Sequence, residues 1–324
     1  MSLQPGGFFE YIAIRRSSRT GTGIQTPFAE APLATGPGEW EGSPAHSRLW
    51  LQASIQAKGN WLVYYESDFL QPPGHSPYRL RQFWGEYECG GWRLLGGQAW
   101  SLLRPNRAGI SSENDLMNTL VVEPGYHVGL AGKRTRQLRL TRDAGAWHVA
   151  AAYEHDGGAA MTLKLARDAG RGHWEIEALG GEGKRLALGL AAVAPIGRRL
   201  KWVSQQLWSQ GAGPLLVGAM PARVHAHSAI QGLEATLPAA RVQLFAYGGV
   251  AWAGRCEANR LLRQWSVGAH RELFQHARWG ATVVSAEYSR LERFPWAGGR
   301  GAMHILSFRL RHSLPSSRNG KSAR

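Results

Sequence analysis

Acidic and basic side chains occupy matching positions on two neighbouring segments of this 324-residue chain. Glu66 and Asp68 are two residues apart, and so are Arg79 and Arg81 in the next segment. Residues two apart project from the same face of a strand, and neighbouring strands lie about 4.8 Å apart. The spacing therefore predicts a ladder of carboxylate–guanidinium pairs. Two interpretations stay open: a charged wall that orients anions, or pairs that only neutralise one another.

Motifs for catalysis and metal binding are weak in this sequence. His225 and His227 share a strand face, but no third ligand lies within a few positions of them. The glycine-rich segment 180–185 lacks the spacing of a phosphate-binding loop and is typical of a tight hairpin. The sequence predicts neither an enzyme nor a bound metal or cofactor.

The charge balance favours an anionic partner. Lysine and arginine total 38 against 23 acidic residues, a formal net charge of +15, and only six of the 38 are lysine. Arginine is the side chain that grips carboxylate and phosphate with two parallel hydrogen bonds. Nucleic acid, an acidic membrane surface and small anions are all compatible with the charge alone.

Strands dominate the hydrophobic pattern, which alternates with a period of two along the whole chain. The longest nearly continuous apolar stretch, 186–196, is too short for a transmembrane helix, which needs about 20 residues. Sixteen candidate strands follow from the pattern. They are 7–16, 46–56, 60–69, 78–88, 92–102, 134–142, 146–155, 161–167, 173–179, 184–194, 199–209, 223–235, 240–253, 259–268, 279–291 and 300–312.

The connections tend to alternate between short turns and longer loops, as they do in outer-membrane barrels. This predicts an all-β fold: a sixteen-stranded antiparallel transmembrane β-barrel, with an N-terminal stub at 1–6, the barrel at 7–312 and a basic tail at 313–324. Cys89 should lie on the short-turn rim and Cys256 on the long-loop rim. We expect the outer face to carry Leu138, Leu140, Val149, Ala151, Leu188 and Leu244.

One connection, 103–133, is long enough to fold into the barrel and narrow it. Structureless loops of this length inside compact domains are usually functional, although a mobile surface loop is the alternative. Arg104, Arg107, Glu113 and Asp115 are its candidate constriction residues. Arg139 follows the loop, has no carboxylate at its inward neighbours Gln137 and Thr141, and is the leading candidate for an anion contact.

Several segments resemble the DcaP-like outer-membrane porins. They are Val63–Phe69, Arg79–Arg81, Gly97–Ser101 and Arg136–Arg139, with Gly7–Glu10 and Ser47–Leu49 upstream. The resemblance implies a sixteen-stranded barrel, typically trimeric, that passes small anionic solutes such as dicarboxylates through an arginine-lined constriction. The residues before Met1–Gly7 would have to supply a signal peptide, and the chain does not end on the aromatic residue expected of the family.

The sequence as a whole predicts an anion-preferring outer-membrane porin. Its partners would be small anionic solutes, the lipid bilayer and two further copies in a homotrimer, and not nucleic acid. The predicted pore-lining and anion-contact residues are Arg79, Arg81, Gln98, Arg139, Glu66 and Asp68. The alternatives are a soluble or periplasmic all-β carbohydrate-binding or carbohydrate-active protein, which would need paired carboxylates in a cleft, and a tryptophan-rich nucleic-acid binder.

Overall fold

A computed structural model describes residues 1–70, 78–112, 120–211, 225–255 and 258–315. Short 3-10 turns lie at Phe28–Glu30, Glu182–Lys184 and Pro238–Ala240. None of the helical segments in these ranges has the length and apolarity to cross a membrane. The strands are β1 (Ser2–Arg16), β2 (Glu39–Ser43), β3 (Arg48–Gln56), β4 (Asn60–Asp68), β5 (Arg79–Cys89), β6 (Trp92–Trp100), β7 (Arg134–Ala144), β8 (Trp147–His155), β9 (Ala159–Ala169), β10 (Gly172–Gly181), β11 (Arg185–Pro195), β12 (Leu200–Gln210), β13 (His225–Leu237), β14 (Val242–Ala253), β15 (Asn259–His276), β16 (Gly280–Pro295) and β17 (Gly301–Ser313).

The strands form one closed antiparallel sheet. From β3 to β17 each strand pairs with its neighbours in sequence, and β17 then pairs with β1 along Phe8–Arg16. Closure leaves no free edge, so every strand of the wall has hydrogen-bonding partners on both sides.

Strands β2 and β3 are two halves of a single wall strand. Both pair with β1, Ser43 opposite Ile12 and Arg48 opposite Phe8. Three residues of β1 separate these pairs, whereas four residues, 44–47, separate them on the other side. The extra residue is a bulge, and the wall therefore contains sixteen strands, as the sequence predicted. The sequence pattern missed β2 because Gly42 and Pro44 interrupt the alternation.

Side chains alternate between the two faces of the wall. On β7, Leu138 is 57% exposed on the outside while Gln137 is 7% exposed on the inside. The residues expected on the outer face are exposed or half-buried there, including Val149, Leu188 and Leu244. Exposed tryptophans lie beside the short turns, at positions Trp61, Trp92, Trp147 and Trp279. An apolar outer band edged by aromatic side chains is the arrangement of a transmembrane barrel.

The two rims differ in connection length. Short turns close one rim, and Cys89 lies there at the end of β5, as predicted. Cys256 lies outside the described residues. The expected long connection at 269–278 is wrong, because β15 continues to His276 through a bulge between Glu272 and Phe274.

The proposed N-terminal stub is also wrong. Residues Ser2–Gly6 belong to β1 and pair with Ser54–Trp50 of β3. The sequence pattern missed this part of the strand because Pro5, Gly6 and Gly7 interrupt the alternation of apolar and polar residues. At the other end β17 runs to Ser313, and residues 316–324 of the predicted tail lie outside the described ranges.

Candidate functional site

The ladder predicted between β4 and β5 is present on the inner wall. Both arms of the Arg79 guanidinium donate to Asp68, Nε to Oδ1 at 2.8 Å and Nη2 to Oδ2 at 2.7 Å. Arg81 bridges the two acids, with Nε 2.6 Å from Glu66 Oε1 and Nη1 2.6 Å from Asp68 Oδ2. Each carboxylate is therefore held by arginine, and neither is free to act as an acid or base.

Three further arginines surround this ladder, from β3, from the connection after β6 and from β7. Arg48 lies with Nη1 3.6 Å from Glu66. Arg104 and Arg134 place their guanidinium groups over the ring of Trp100, 4.6 Å and 4.8 Å from its centre. We call the five arginines, Arg48, Arg79, Arg81, Arg104 and Arg134, the arginine cluster. The sequence analysis did not single out Arg48 and Arg134, although Arg48 contacts Glu66 on the next strand and Arg134 lies opposite Trp100.

Arg104 lacks a carboxylate partner among the described residues. It is 3% exposed, and its Nε and Nη1 have no hydrogen-bond partner within the described ranges. Burial lowers its pKa to about 10, and the nearby cations Arg81 and Arg48 lower it further while Tyr126 opposes them. A buried guanidinium with unused donors has a strong affinity for an anion, because leaving such donors unpaired is costly.

The positive region continues from the arginine cluster along β1 and β17. Glu10 accepts from Arg311 and lies 3.6 Å from Arg309, and the Arg311 guanidinium covers the ring of Phe8 at 4.0 Å. Adding these groups gives seven arginines against three carboxylates, Glu10, Glu66 and Asp68, an excess of four positive charges.

Arg139, the leading sequence candidate, lies apart from the arginine cluster. It is buried on β7, and its guanidinium donates to Gln137 Oε1 at 2.9 Å, to the backbone oxygen of Trp100 and to Ser112 Oγ at 3.4 Å. These bonds attach the start of the 101–133 connection to the wall. An anion contact at Arg139 stays a prediction.

Gln98 does not line the lumen as expected. It lies opposite Phe83 on β5 and Arg136 on β7, whose side chains are exposed on the outer face. Its Nε2 donates to the backbone oxygen of Arg81 at 3.0 Å. The prediction is wrong because the regular alternation of β6, in which Leu95 faces inward and Leu94 outward, places residue 98 on the outer face.

The other loop candidates are only partly described. Arg107 reaches across to β13, where its Nη1 donates to Glu234 Oε2 at 2.8 Å. Glu113 and Asp115 lie outside the described residues.

Inward-facing polar side chains of the wall accept backbone N–H groups from the 101–133 connection. Leu102 donates to Glu154, Asn106 to Glu175 and Gly109 to Asp168, along β8 to β10. On the returning part, the acceptors are Glu287 for Val122 and Glu123, Gln264 for Val128 and Gln205 for Ala131. Most of these wall acceptors are carboxylates, so this connection engages acidic groups of β8, β9, β10 and β16.

Apolar packing joins the same connection to the barrel interior. Leu103, Val128 and Ala131 belong to one buried cluster with Leu207 of β12 and Ile305 of β17. The described parts of this connection, residues 101–112 and 120–133, thus contact several distant strands of the wall.

A cavity of about 790 Å³ opens at the long-loop rim. It is lined by residues of the 21–30 and 41–45 segments together with Leu70 and Gly125. Gly125 precedes Tyr126, whose hydroxyl accepts from Arg81 Nη2 at 3.4 Å. The cavity therefore borders the residue that precedes Tyr126. In the described ranges, no group of three or more His, Cys, Asp and Glu side chains is arranged to hold a metal ion.

Solved structures of bacterial porins share this fold. The outer membrane channel DcaP of Acinetobacter baumannii is 14% identical, with a TM-score of 0.80 over 97% of both chains. An anion-selective porin from Comamonas acidovorans is 11% identical, with a TM-score of 0.68 over 97% of this chain and 99% of that one. OmpT, an outer membrane protein of Vibrio cholerae, is 10% identical, with a TM-score of 0.64 over 96% of this chain and 97% of that one.

No protein-family model matches the sequence, and no curated protein matches it. The structural similarity therefore establishes the fold, a sixteen-stranded porin barrel, at a level of sequence identity that does not carry the function across.

Proposed function

We propose that this protein is a porin of the bacterial outer membrane that passes small anionic solutes by passive diffusion. The observation that carries the proposal is the excess of arginine on one side of the inner wall, seven guanidinium groups against three carboxylates. Two of the porins with this fold are described as an outer membrane channel and as anion-selective, which agrees with the proposal.

The uneven placement of charge supports anion preference. Glu154, Glu175 and Glu287 of the wall accept backbone N–H groups of the 101–133 connection, which lowers their effect on a passing ion. Arg104 and Arg134 instead stack on Trp100, where an aromatic ring leaves their positive charge uncompensated. Fixed charges that line a narrow, low-dielectric passage act more strongly on an ion than the same charges in open water.

The 101–133 connection would narrow the lumen and set the size limit for solutes. Its contacts with strands from both sides of the barrel support this role. Weak binding at the arginine cluster would attract a carboxylate and still let it leave, as conduction requires. Dicarboxylates fit a site with several guanidinium groups, since each carboxylate can take a bidentate contact.

Planar-bilayer recordings under a KCl gradient test this function. The reversal potential of the wild-type channel should show chloride preference, and Arg104→Gln should reduce it. Arg241→Gln, at an exposed arginine on the short-turn rim, is the matched control and should leave the reversal potential unchanged. A cation-preferring wild-type channel would contradict the proposal.

Succinate adds a test of solute class. It should reduce the chloride conductance at concentrations where acetate, with one carboxylate, has little effect. Equal effects of the two acids would remove the support for dicarboxylates and leave general anion preference intact.

The two other classes fit the structure less well. A soluble carbohydrate-active protein is disfavoured, because the outer face exposes a band of large apolar side chains and because Arg79 and Arg81 hold Glu66 and Asp68. A nucleic-acid binder is disfavoured, since the arginine cluster faces the inside of a closed barrel.

We also propose a homotrimer, because one porin of this fold, OmpT of Vibrio cholerae, is described in a trimer form. Native mass spectrometry of the detergent-extracted protein would measure the stoichiometry directly. A monomer in mild detergent and in cross-linked membranes would contradict it.

A further inference from the structure

Tyr126 occupies an unusual backbone position at the centre of the charged region. Its φ of 70° lies in the left-handed region, which side chains with a Cβ rarely adopt. Such strained residues persist where surrounding contacts hold them, and they are common at functional sites. Its side chain is half-buried.

The phenol of Tyr126 lies among cations. Arg81 Nη2 is 3.4 Å from its hydroxyl oxygen, and the Arg104 guanidinium lies 4.7 Å from the ring centre. The rings of Trp100 and Tyr126 meet edge to face, with their centres 6.4 Å apart. The Arg134 guanidinium lies over the same Trp100 ring. Tyr126 thus contacts β5 and its own connection directly and, through Trp100, faces β7.

The charged groups around Tyr126 come from every neighbouring element. Arg48 on β3 adds a fourth positive charge beside Arg81, Arg104 and Arg134. Glu66 on β4 is held by Arg81 and Arg48, and Asp68 by Arg79 and Arg81. Within the connection itself, Glu123 accepts the backbone N–H groups of Thr26 and Gly125.

These surroundings favour the ionised phenol. Burial alone would raise the pKa of Tyr126, but the four guanidinium groups outweigh it and lower the pKa to about 7. Glu123 titrates in the same range, since burial raises its pKa to about 7, so an experiment must separate the two groups.

We propose that Tyr126 is a specificity-determining residue of this channel, and that its phenolate acts as a removable counter-charge of the arginine cluster. This inference rests on the proposed anion-conducting function. The hydroxyl oxygen of Tyr126 accepts from Arg81, and the Arg104 guanidinium lies over the ring, so Tyr126 contacts two of the groups that would bind a solute carboxylate. Protonation leaves the cluster with five cations and two carboxylates, a net +3, and ionisation reduces this to +2.

The sign of the pH dependence follows directly. As pH rises through about 7, Tyr126 loses its proton, the local positive charge falls and anion preference weakens. Between about pH 5.5 and about pH 8.5 the chloride-to-potassium permeability ratio of the wild type should fall by about twofold. Tyr126→Phe keeps the ring beneath Arg104 and removes only the ionisable group. Its ratio should stay at the low-pH value throughout.

Glu123→Gln is the control for the second titrating group, and it should retain most of the wild-type pH profile. A spectroscopic titration gives an independent readout: the phenolate absorbance that distinguishes wild type from Tyr126→Phe should appear near neutral pH. If Tyr126→Phe keeps the wild-type profile, or if this absorbance appears only near the usual tyrosine pKa of about 10, the proposal is overturned.

Failure of this inference and failure of the proposed function give different results. Anion preference that does not change with pH overturns only the role of Tyr126. Cation preference at every pH overturns the anion-conducting function on which that role rests.

Discussion

The carboxylate of Glu287 accepts the backbone N–H of Val122, which ties the returning part of the 101–133 connection to β16. The same oxygen accepts the N–H of Glu123 at 3.2 Å, and both partners are buried. One acidic side chain thus accepts hydrogen bonds from two buried backbone N–H groups that would otherwise lack a partner.

Replacing Glu287 with Ala should release this attachment. Each buried donor left without a partner costs about 1–3 kcal/mol, so the free energy of unfolding should fall by about 2–4 kcal/mol. The loosened segment should also raise the single-channel conductance and its noise. Glu292→Ala, at an outward residue of β16 that pairs with Arg300, should change neither quantity. Unchanged conductance in Glu287→Ala would show that this contact does not limit the passage.

Arg81 and Arg79 should differ sharply in their contribution to stability. Arg81→Ala leaves the buried Glu66 with only the more distant Arg48, at 3.6 Å, and removes one of the two arginines on Asp68, which should cost about 3–5 kcal/mol. Arg79 is partly exposed, and Asp68 keeps Arg81 when Arg79 is removed, so Arg79→Ala should cost less than about 1.5 kcal/mol. Urea unfolding, followed by tryptophan fluorescence, measures the free energy of unfolding of both variants. Equal losses would mean that the ladder is not organised around Arg81.

The outer face can be tested at Leu190, the central residue of β11. It is 54% exposed on the outside, and an arginine there should destabilise the inserted barrel by about 2–4 kcal/mol. Gln52→Arg, on the inner face of β3 opposite Tyr64, is the control and should have a small effect. Folding yield into lipid vesicles, read from heat-modified migration on gels, compares the two. A stable Leu190→Arg barrel would reverse the assignment of faces.

Cys89 reports which rim faces which side of the membrane. Its thiol is exposed beside the Gly90–Gly91 turn. In cells carrying Cys256→Ser, a membrane-impermeant maleimide should label Cys89 only after the outer membrane is permeabilised. Thr22→Cys in a background without Cys89, at an exposed position of the opposite rim, should react in intact cells. Labelling of Cys89 in intact cells would invert the proposed orientation.

The sequence predicted the barrel well because each strand of a two-faced wall must alternate between outward apolar and inward polar side chains. Leu138, Gln137 and Arg139 alternate as the faces require, and the strand count follows from repeating this pattern. The pattern fails where a residue breaks the period without breaking the strand. Pro44 with its bulge, the Pro5–Gly7 run and the bulge near Glu272 are three such places.

The site was harder to predict, because it depends on residues that are distant in the sequence. The pairs of Glu66 and Asp68 with Arg79 and Arg81 join consecutive strands, so local spacing was enough. Trp100 and Tyr126 with Arg104 and Arg134 come together only when the connection folds back on the wall. Strand periodicity carries no information about such a fold.

The pairing of β1 with β17 brings the two ends of the wall together, Ile12 opposite Arg309. Ribosomes complete β1 first and β17 last, so the joint cannot exist while the chain is still being synthesised. Until β17 is available, β1 presents an unpaired edge that invites association with other chains. Closure of the barrel is therefore a step that follows synthesis of the last strand.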